Sequence, residues 1–281
     1  MGKPMCLNLL KAGYQVTAFN RTASKTASVE QAGARIAPTP AEAASGSDII
    51  VTIVSDTPDV EAVILGTEGI IHGAASGSVV IDMSTISPAA TRNIAAHLKK
   101  RDIAMLDAPV SGGDTGAVQG TLAIMAGGEK RVFEHCLPVL KVMGQSVTHV
   151  GPAGMGQITK LCNQILVTVT NMAVCEAILF AEKSGLDPNI MIAAVRNGAA
   201  GSWQLSNMGP KISGSDFDPG FMIDLQQKDL KLILEAAREN RIPLPAASLV
   251  HQLFSACQHR GEGRLGTQAL YRSYQKLTGD S

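Results

Sequence analysis

Aromatic side chains are scarce: six Phe, three Tyr and one Trp make up 4% of the 281 residues. Few platforms therefore exist for stacking exposed bases. Charge of one sign is also lacking, since 24 Lys and Arg balance 24 Asp and Glu. A chain held mainly by nucleic-acid phosphates needs a basic excess, so no nucleic-acid partner is expected. The five cysteines, Cys6, Cys136, Cys162, Cys175 and Cys257, contain no Cys-x-x-Cys pair. A zinc site or redox dithiol has no support from that spacing. Scattered single thiols fit a reducing cytoplasm. His135, His149, His251 and His259 show no ligand spacing either, and no metal is expected. Uninterrupted apolar runs of about 18 residues are absent. The most apolar stretch, 161–180, is broken by Asn163, Gln164, Asn171 and Glu176, so no membrane association is expected. Lys3-Pro4 stands where a secretory signal would carry its apolar segment.

What the chain does have is glycine, 28 residues, and a hydrophobic fraction of 45% against 17% charged. That composition builds a sizeable core and excludes intrinsic disorder. In the first half, β-branched apolar runs at 15–19, 48–54, 78–83, 103–106, 122–126 and 147–150 alternate with helix-like stretches at 23–32, 58–65, 88–101 and 130–143. Alternation at this spacing predicts a doubly wound, mainly parallel sheet of the Rossmann type with helices on both faces. The pattern changes at Gly151-Pro152-Ala153-Gly154-Met155-Gly156. Beyond it the spacing predicts only helices: a long one over 157–184 running between domains, then others near 188–196, 226–240, 245–259 and 266–277. The expected division is an α/β domain over 1–151 and an all-α domain over 152–281. An interdomain location is a favoured one for a ligand.

In doubly wound sheets, ligands lie beyond the carboxyl ends of the parallel strands. Val54-Ser55 and Ser84-Thr85 follow two such strands, and Val54, Ser55 and Thr85 are candidate cofactor contacts. Ser and Thr there also serve as ordinary helix caps. Asn20-Arg21-Thr22 follows an earlier strand, 18 positions after Gly2. NAD enzymes usually place a carboxylate there for the ribose hydroxyls. An amide, a guanidinium and a hydroxyl instead suit a 2′-phosphate, which predicts NADP(H) in preference to NAD(H). Asp107-Ala108-Pro109-Val110-Ser111-Gly112-Gly113 offers a hydroxyl and two glycines whose N–H groups can approach a small anion closely. Ser111, Gly112 and Gly113 are therefore candidate ligands of a substrate carboxylate, although Ser-Gly-Gly alone is a common turn. Lys160, Asn163 and Gln164 stand at i, i+3 and i+4 and share one helical face. Taken alone, Lys160 is equally a solvated surface lysine. In a cleft, its ammonium could protonate a carbonyl oxygen as hydride arrives.

Together these motifs resemble the β-hydroxyacid dehydrogenase family over almost the whole chain. Gly156-Gln157-Ile158-Thr159-Lys160-Leu161-Cys162-Asn163-Gln164 is similar to the family's catalytic Lys-x-x-Asn helix, and 107–113 to its substrate-binding sequence. The resemblance implies Lys160 as the catalytic acid–base. It implies Asn163 and Gln164 as substrate ligands, and Lys228 of Gln227-Lys228-Asp229-Leu230 as a cofactor contact. It also implies that Gly2 is the last glycine of a dinucleotide-binding turn. On that alignment a central first strand and the rest of its glycine turn, about ten residues, would precede Met1, and two strand edges would be left unpaired. The implied activity is NAD(P)H-dependent reduction of a small carboxylate-bearing aldehyde. Tartronate semialdehyde, giving glycerate, is the first expectation. A 3-hydroxyisobutyrate dehydrogenase and a broad glyoxylate or succinic semialdehyde reductase are the alternatives. From a different class, the same fold could be a non-catalytic oligomeric binding module. The apolar 157–184 helix suggests a homodimer or homotetramer. Leu265-Gly266-Thr267-Gln268 departs from the family's usual Asp-His-Ser-Ala, which leaves the substrate open.

Overall fold

The computed structural model describes residues 1–279. The chain divides into two compact units, Met1–Lys160 and the residues from Leu161 onward. The first unit contains, in order, α1 (Gly2–Lys11), β1 (Thr17–Ala18), α2 (Ala27–Gln31), β2 (Arg35–Ile36), α3 (Pro40–Ala44), β3 (Ile49–Thr52), α4 (Thr57–Leu65), α5 (Ile70–Gly73), β4 (Val79–Asp82) and α6 (Pro88–Lys99). β5 (Ala104–Asp107), β6 (Val110–Ser111), α7 (Gly113–Gln119), β7 (Leu122–Gly127), α8 (Lys130–Met143) and β8 (Gly144–Gly151) follow. Helix α9 (Met155–Lys183) starts in the first unit and continues into the second. The second unit adds α10 (Pro188–Val195), α11 (Trp203–Ser213), α12 (Ile223–Glu239), α13 (Pro245–His259) and α14 (Tyr271–Leu277).

The alternation of strand side chains puts helices on both sheet faces. Val79 and Ile81 of β4 join Leu106 in one cluster, covered by Met5 of α1, Ala117 of α7 and Phe133 and Leu140 of α8. Val80, between them, faces the other way with Ile50 and Met105, under Val60 and Ile64 of α4 and Ile94 and Leu98 of α6. Each such side chain contributes about 1.5–3 kcal/mol by leaving water. The crossover helices start on local signals. Asp56 and Ser87 accept from the first-turn N–H groups of α4 and α6, and Pro58 and Pro88 stand in those first turns.

The strands form two sheets. β1 pairs with β2 in parallel, and six strands run in the order β3-β4-β5-β7-β6, with β8 on β7. Only Thr17–Ala18 of the predicted 15–19 run is laddered, and no ladder joins β1 to β3. The larger sheet is mixed, because β7 runs antiparallel to β5 and β6. The reversal comes at Gly120, which ends α7 in the left-handed conformation (φ 68°). The β2, α3, α5, β6 and α7 segments are too short to show a period in the sequence.

The second unit is helical, with one isolated bridge between Met222 and Gly266. Ile178, Leu230, Ile233, Val250, Phe254 and Leu270 are among its core residues. α9 is long and apolar enough, by length and composition, to cross a membrane. Its Gln164, Thr168 and Asn171 are buried all the same. Thr168 bonds the carbonyl of Gln164, and Asn171 donates to the carbonyl of Thr267. These are the contacts of a core helix in a folded protein. Trp203 is 66% exposed at the start of α11.

Candidate active site

Three polar residues end three adjacent parallel strands of the first unit at one level. Thr52 lies beside Asp82, and Asp82 beside Asp107. Thr52 Oγ1 donates to Asp82 Oδ1 at 2.8 Å, and the Ser84 N–H donates to the same oxygen at 3.2 Å. The Val54 N–H donates to Ser84 Oγ at 2.9 Å, tying the turn after β3 to the turn after β4. Asp82 is fully buried and its Oδ2 has no hydrogen-bond partner. Burial therefore pushes its carboxyl up to about 6, against the pull of the Ser84 and Thr52 donors, with Asp107 adding repulsion.

Asp107 is buried beside it and pins the start of α9. Its Oδ1 accepts from the Gly154 N–H at 2.8 Å and its Oδ2 from the Gln157 N–H at 2.9 Å. Burial raises the Asp107 carboxyl, and these N–H donors oppose the rise. A side chain at Gly156 would meet the Asp107 carbonyl oxygen at 2.3 Å, so only glycine lets the helix approach this closely. Gln157, fully buried, sends its side chain the other way. Nε2 donates to the Ser84 carbonyl at 2.8 Å and Oε1 accepts from the Ile86 N–H at 3.1 Å. Lys160 follows one helical turn later, 7% exposed. It is not a solvated surface lysine.

The other residues of the first unit singled out in the sequence lie in turns and at the ends of elements. Val54 and Thr85 are half-buried and Ser55 is exposed, in the turns after β3 and β4. Gly2 begins α1, where an added Cβ would stand 3.0 Å from Ile53 Cγ2. Asn20, Arg21 and Thr22 form an exposed turn after β1, with Asn20 donating to the Thr22 carbonyl. The Arg21 side chain is 88% exposed and meets Asp59 of α4 at 3.3 Å. Ser111 is half-buried at the end of β6. Gly112 and Gly113 take φ of 129° and 63°, values that side chains resist, so both glycines are required by the backbone there.

In the second unit the helix-borne candidates form their own chain. Asn163 Nδ2 donates to Gln164 Oε1 at 2.9 Å, and Gln164 Nε2 donates to Asp229 Oδ2 at 2.5 Å. Asp229 Oδ1 pairs with the Lys228 ammonium at 2.7 Å. Asp229 is buried and Lys228 nearly so. Asp82, Asp107 as a helix anchor, and Gln157 were not singled out in the sequence. The one available signal was that Asp82 and Asp107 both close β-branched runs just before a turn. Their partners lie 30–73 positions away in sequence.

A nicotinamide dinucleotide fits the residues of the first unit. The turn after β1 offers it an amide, a guanidinium and a hydroxyl, the guanidinium held in one exposed ion pair with Asp59. The parallel β3 and β4 present their carboxyl ends on one side of the sheet. Among the described residues no cluster could hold a metal ion.

Comparison with known proteins follows the same division. Residues 1–151 match the NAD binding domain of 6-phosphogluconate dehydrogenase. Residues 154–274 match the NAD-binding family of NADP-dependent 3-hydroxyisobutyrate dehydrogenase. An uncharacterized oxidoreductase of Synechocystis sp. is 45% identical over 98% of this chain and 95% of its own. The 2-hydroxy-3-oxopropionate reductase of Escherichia coli is 40% identical over 99% of this chain and 94% of its own. A crystal structure of 3-hydroxyisobutyrate dehydrogenase from Salmonella typhimurium superposes with a TM-score of 0.86 at 31% identity, covering 96% of this chain and 95% of that one. The fold and the nicotinamide-binding families define an NAD(P)-dependent oxidoreductase. The chain belongs to the β-hydroxyacid dehydrogenase family.

Proposed function

We propose that the protein reduces tartronate semialdehyde to glycerate with NADPH. The observation that carries this reading is Lys160, buried one turn beyond the Asp107-pinned start of α9 in a chain 40% identical to a 2-hydroxy-3-oxopropionate reductase. Bound nicotinamide supplies the hydride in such chemistry. The Lys160 ammonium donates a proton to the aldehyde oxygen as the C–H bond forms; in the reverse direction the neutral amine takes it back. Ser111 and the N–H groups of Gly112 and Gly113 hold the substrate carboxylate. Asn163 and Gln164 hold substrate hydroxyl or carbonyl groups, with Gln164 oriented by Asp229. Gly2, Val54, Ser55 and Thr85 line the cofactor, Arg21 with Asn20 and Thr22 takes the 2′-phosphate, and Lys228 is assigned a cofactor contact on the family resemblance.

A second reading is favoured by the Arabidopsis thaliana relative titled probable 3-hydroxyisobutyrate dehydrogenase-like 1, also 40% identical. In that reading this protein takes 3-hydroxyisobutyrate through the same groups. Rates of NADPH and NADH oxidation with tartronate, methylmalonate and succinic semialdehydes and glyoxylate separate the two. A kcat/KM at least tenfold higher for tartronate semialdehyde is expected. Preference for methylmalonate semialdehyde would install the second reading, and no turnover with any would remove both in favour of a binding module.

The protein is also read as a cytoplasmic homodimer or homotetramer. The outer stripe of α9, with Leu166 70% and Phe180 76% exposed, supports the assembly. Ala173 lies midway between them, so an antiparallel copy would set Leu166 against Phe180 of its partner.

A further inference from the structure

We propose that Gln157 is a positioning residue: its buried amide sets the first turn of α9, and with it Lys160, against the turn at 84–86. This rests on the reading of Lys160 as the proton donor. A buried amide is costly unless both its ends are paired. Both are paired here, and both partners are main-chain groups on either side of Thr85. Nε2 donates to the Ser84 carbonyl at 2.8 Å, and Oε1 accepts from the Ile86 N–H at 3.1 Å. The side chain thus does what a neighbouring strand would do, reading one carbonyl and one N–H. Its own N–H is fixed on Asp107 at 2.9 Å, so the residue is held at backbone and side chain together.

The helix transmits that constraint. It advances about 1.5 Å and turns about 100° per residue, so three residues of rigid backbone fix the root of Lys160 relative to Gln157. Any slip of the 84–86 turn along α9 breaks both amide bonds at once. Thr85, between the two bonded groups, stands at a strand end where a dinucleotide is expected to lie. Gln157 therefore ties the expected cofactor turn to the expected proton donor. Only a group carrying one donor and one acceptor can do so. A protonated carboxyl qualifies, whereas a carboxylate, with no donor, would face the Ser84 carbonyl with like charge.

The test compares wild type, Q157A and Q157E from pH 5.5 to 8.5. It reads kcat, KM for the aldehyde, the NADPH dissociation constant and the melting temperature. It also reads the pH profile of Lys160 acylation by acetic anhydride, scored by mass spectrometry, which needs no turnover. Q157A is expected to lower kcat at least tenfold, with KM and NADPH affinity within threefold, and to shift the Lys160 acylation profile. Q157E is expected to approach wild-type kcat at pH 5.5, where the buried introduced carboxyl is protonated, and to lose it by pH 8.5. A Q157A kcat within twofold of wild type overturns the proposal. So does a kcat loss that merely follows lost NADPH binding or lost folded protein, because that is a structural role. If wild type reduces no aldehyde, the functional reading fails by itself. The acylation profile then still decides: unchanged in Q157A, it sinks the positioning role; shifted, it supports it.

Discussion

In the first unit, Asp82, Asp107 and Gln157 bond chiefly to main-chain groups, namely the N–H of Ser84, Gly154 and Gln157 itself, the Ser84 carbonyl and the Ile86 N–H. In the second, Asn163, Gln164, Asp229 and Lys228 bond to one another. The difference is one of exchangeability. A main-chain group cannot rotate toward a new partner, so each buried bond lost to it leaves an unpaired group. A chain of side chains can re-pair and spread the loss over several members. Backbone-anchored polar groups suit the placing of a strand end or a helix start. Side-chain relays suit the orientation of groups that meet a substrate.

The largest test of this contrast is the lysine that the first network positions. Lys160→Ala is expected to lower kcat by about 10²–10⁴, the range of general acid–base help, with NADPH affinity unchanged in a fluorescence titration. Retained turnover would strip the first unit's network of its functional meaning.

Asp107→Ala leaves the Gly154 and Gln157 N–H groups unpaired at the start of α9. A loss of about 3–4 kcal/mol in unfolding free energy is expected from denaturant titration. A loss under about 1 kcal/mol would show that this network, too, can re-pair.

Asp82 gives the comparison a pH signature. Its carboxyl is raised from 3.8 to about 6 in the folded protein. The stabilising contribution of the neutral form is present below pH 4 and is lost as pH rises to about 6. That amounts to about 3 kcal/mol. Asp82→Asn stays neutral throughout, so its stability curve is expected to lack this fall when subtracted from wild type. Parallel curves would mean that Asp82 stays ionised in place.

Two smaller effects probe the exchangeable groups. Arg21→Ala removes an exposed guanidinium and is expected to weaken NADPH binding about tenfold, or about 1.4 kcal/mol, with NADH binding unchanged. Equal loss for both cofactors would remove the basis for an NADP preference. Asp229→Asn keeps an acceptor for Gln164 but loses the charge facing Lys228. Lys228, 16% exposed, can turn its ammonium to water, so a cost of about 1 kcal/mol, seen as a fall of about 2–4 °C in melting temperature, is expected. A cost as large as that of Asp107→Ala would erase the distinction between the units.

Much of this was legible in one dimension. β-branched apolar runs and helical patterns marked β3, β4, β5, β7 and β8, the change to helices after Gly151, and the long helix to within two residues at its start. Ser111-Gly112-Gly113 and Lys160-x-x-Asn163-Gln164 were visible because each is contiguous or lies within one helical turn. Most segments that escaped were two to seven residues long, and in so short a span no period separates helix from strand; the 11-residue α11 escaped as well. Arg21 was singled out in the sequence, but its Asp59 partner, 38 positions away, was not foreseen.

The sequence by itself determined the class of fold and the order of its longer elements, because those depend on residue type and local spacing. Only the tertiary structure decided that Thr52, Asp82 and Asp107 stand abreast, that Asp107 pins α9, and that Gln157 reads the turn around Thr85. Those bonds join residues separated by tens of positions. Strand register and the close approach at Gly156 bring them together, and neither leaves a mark in a local window of residues.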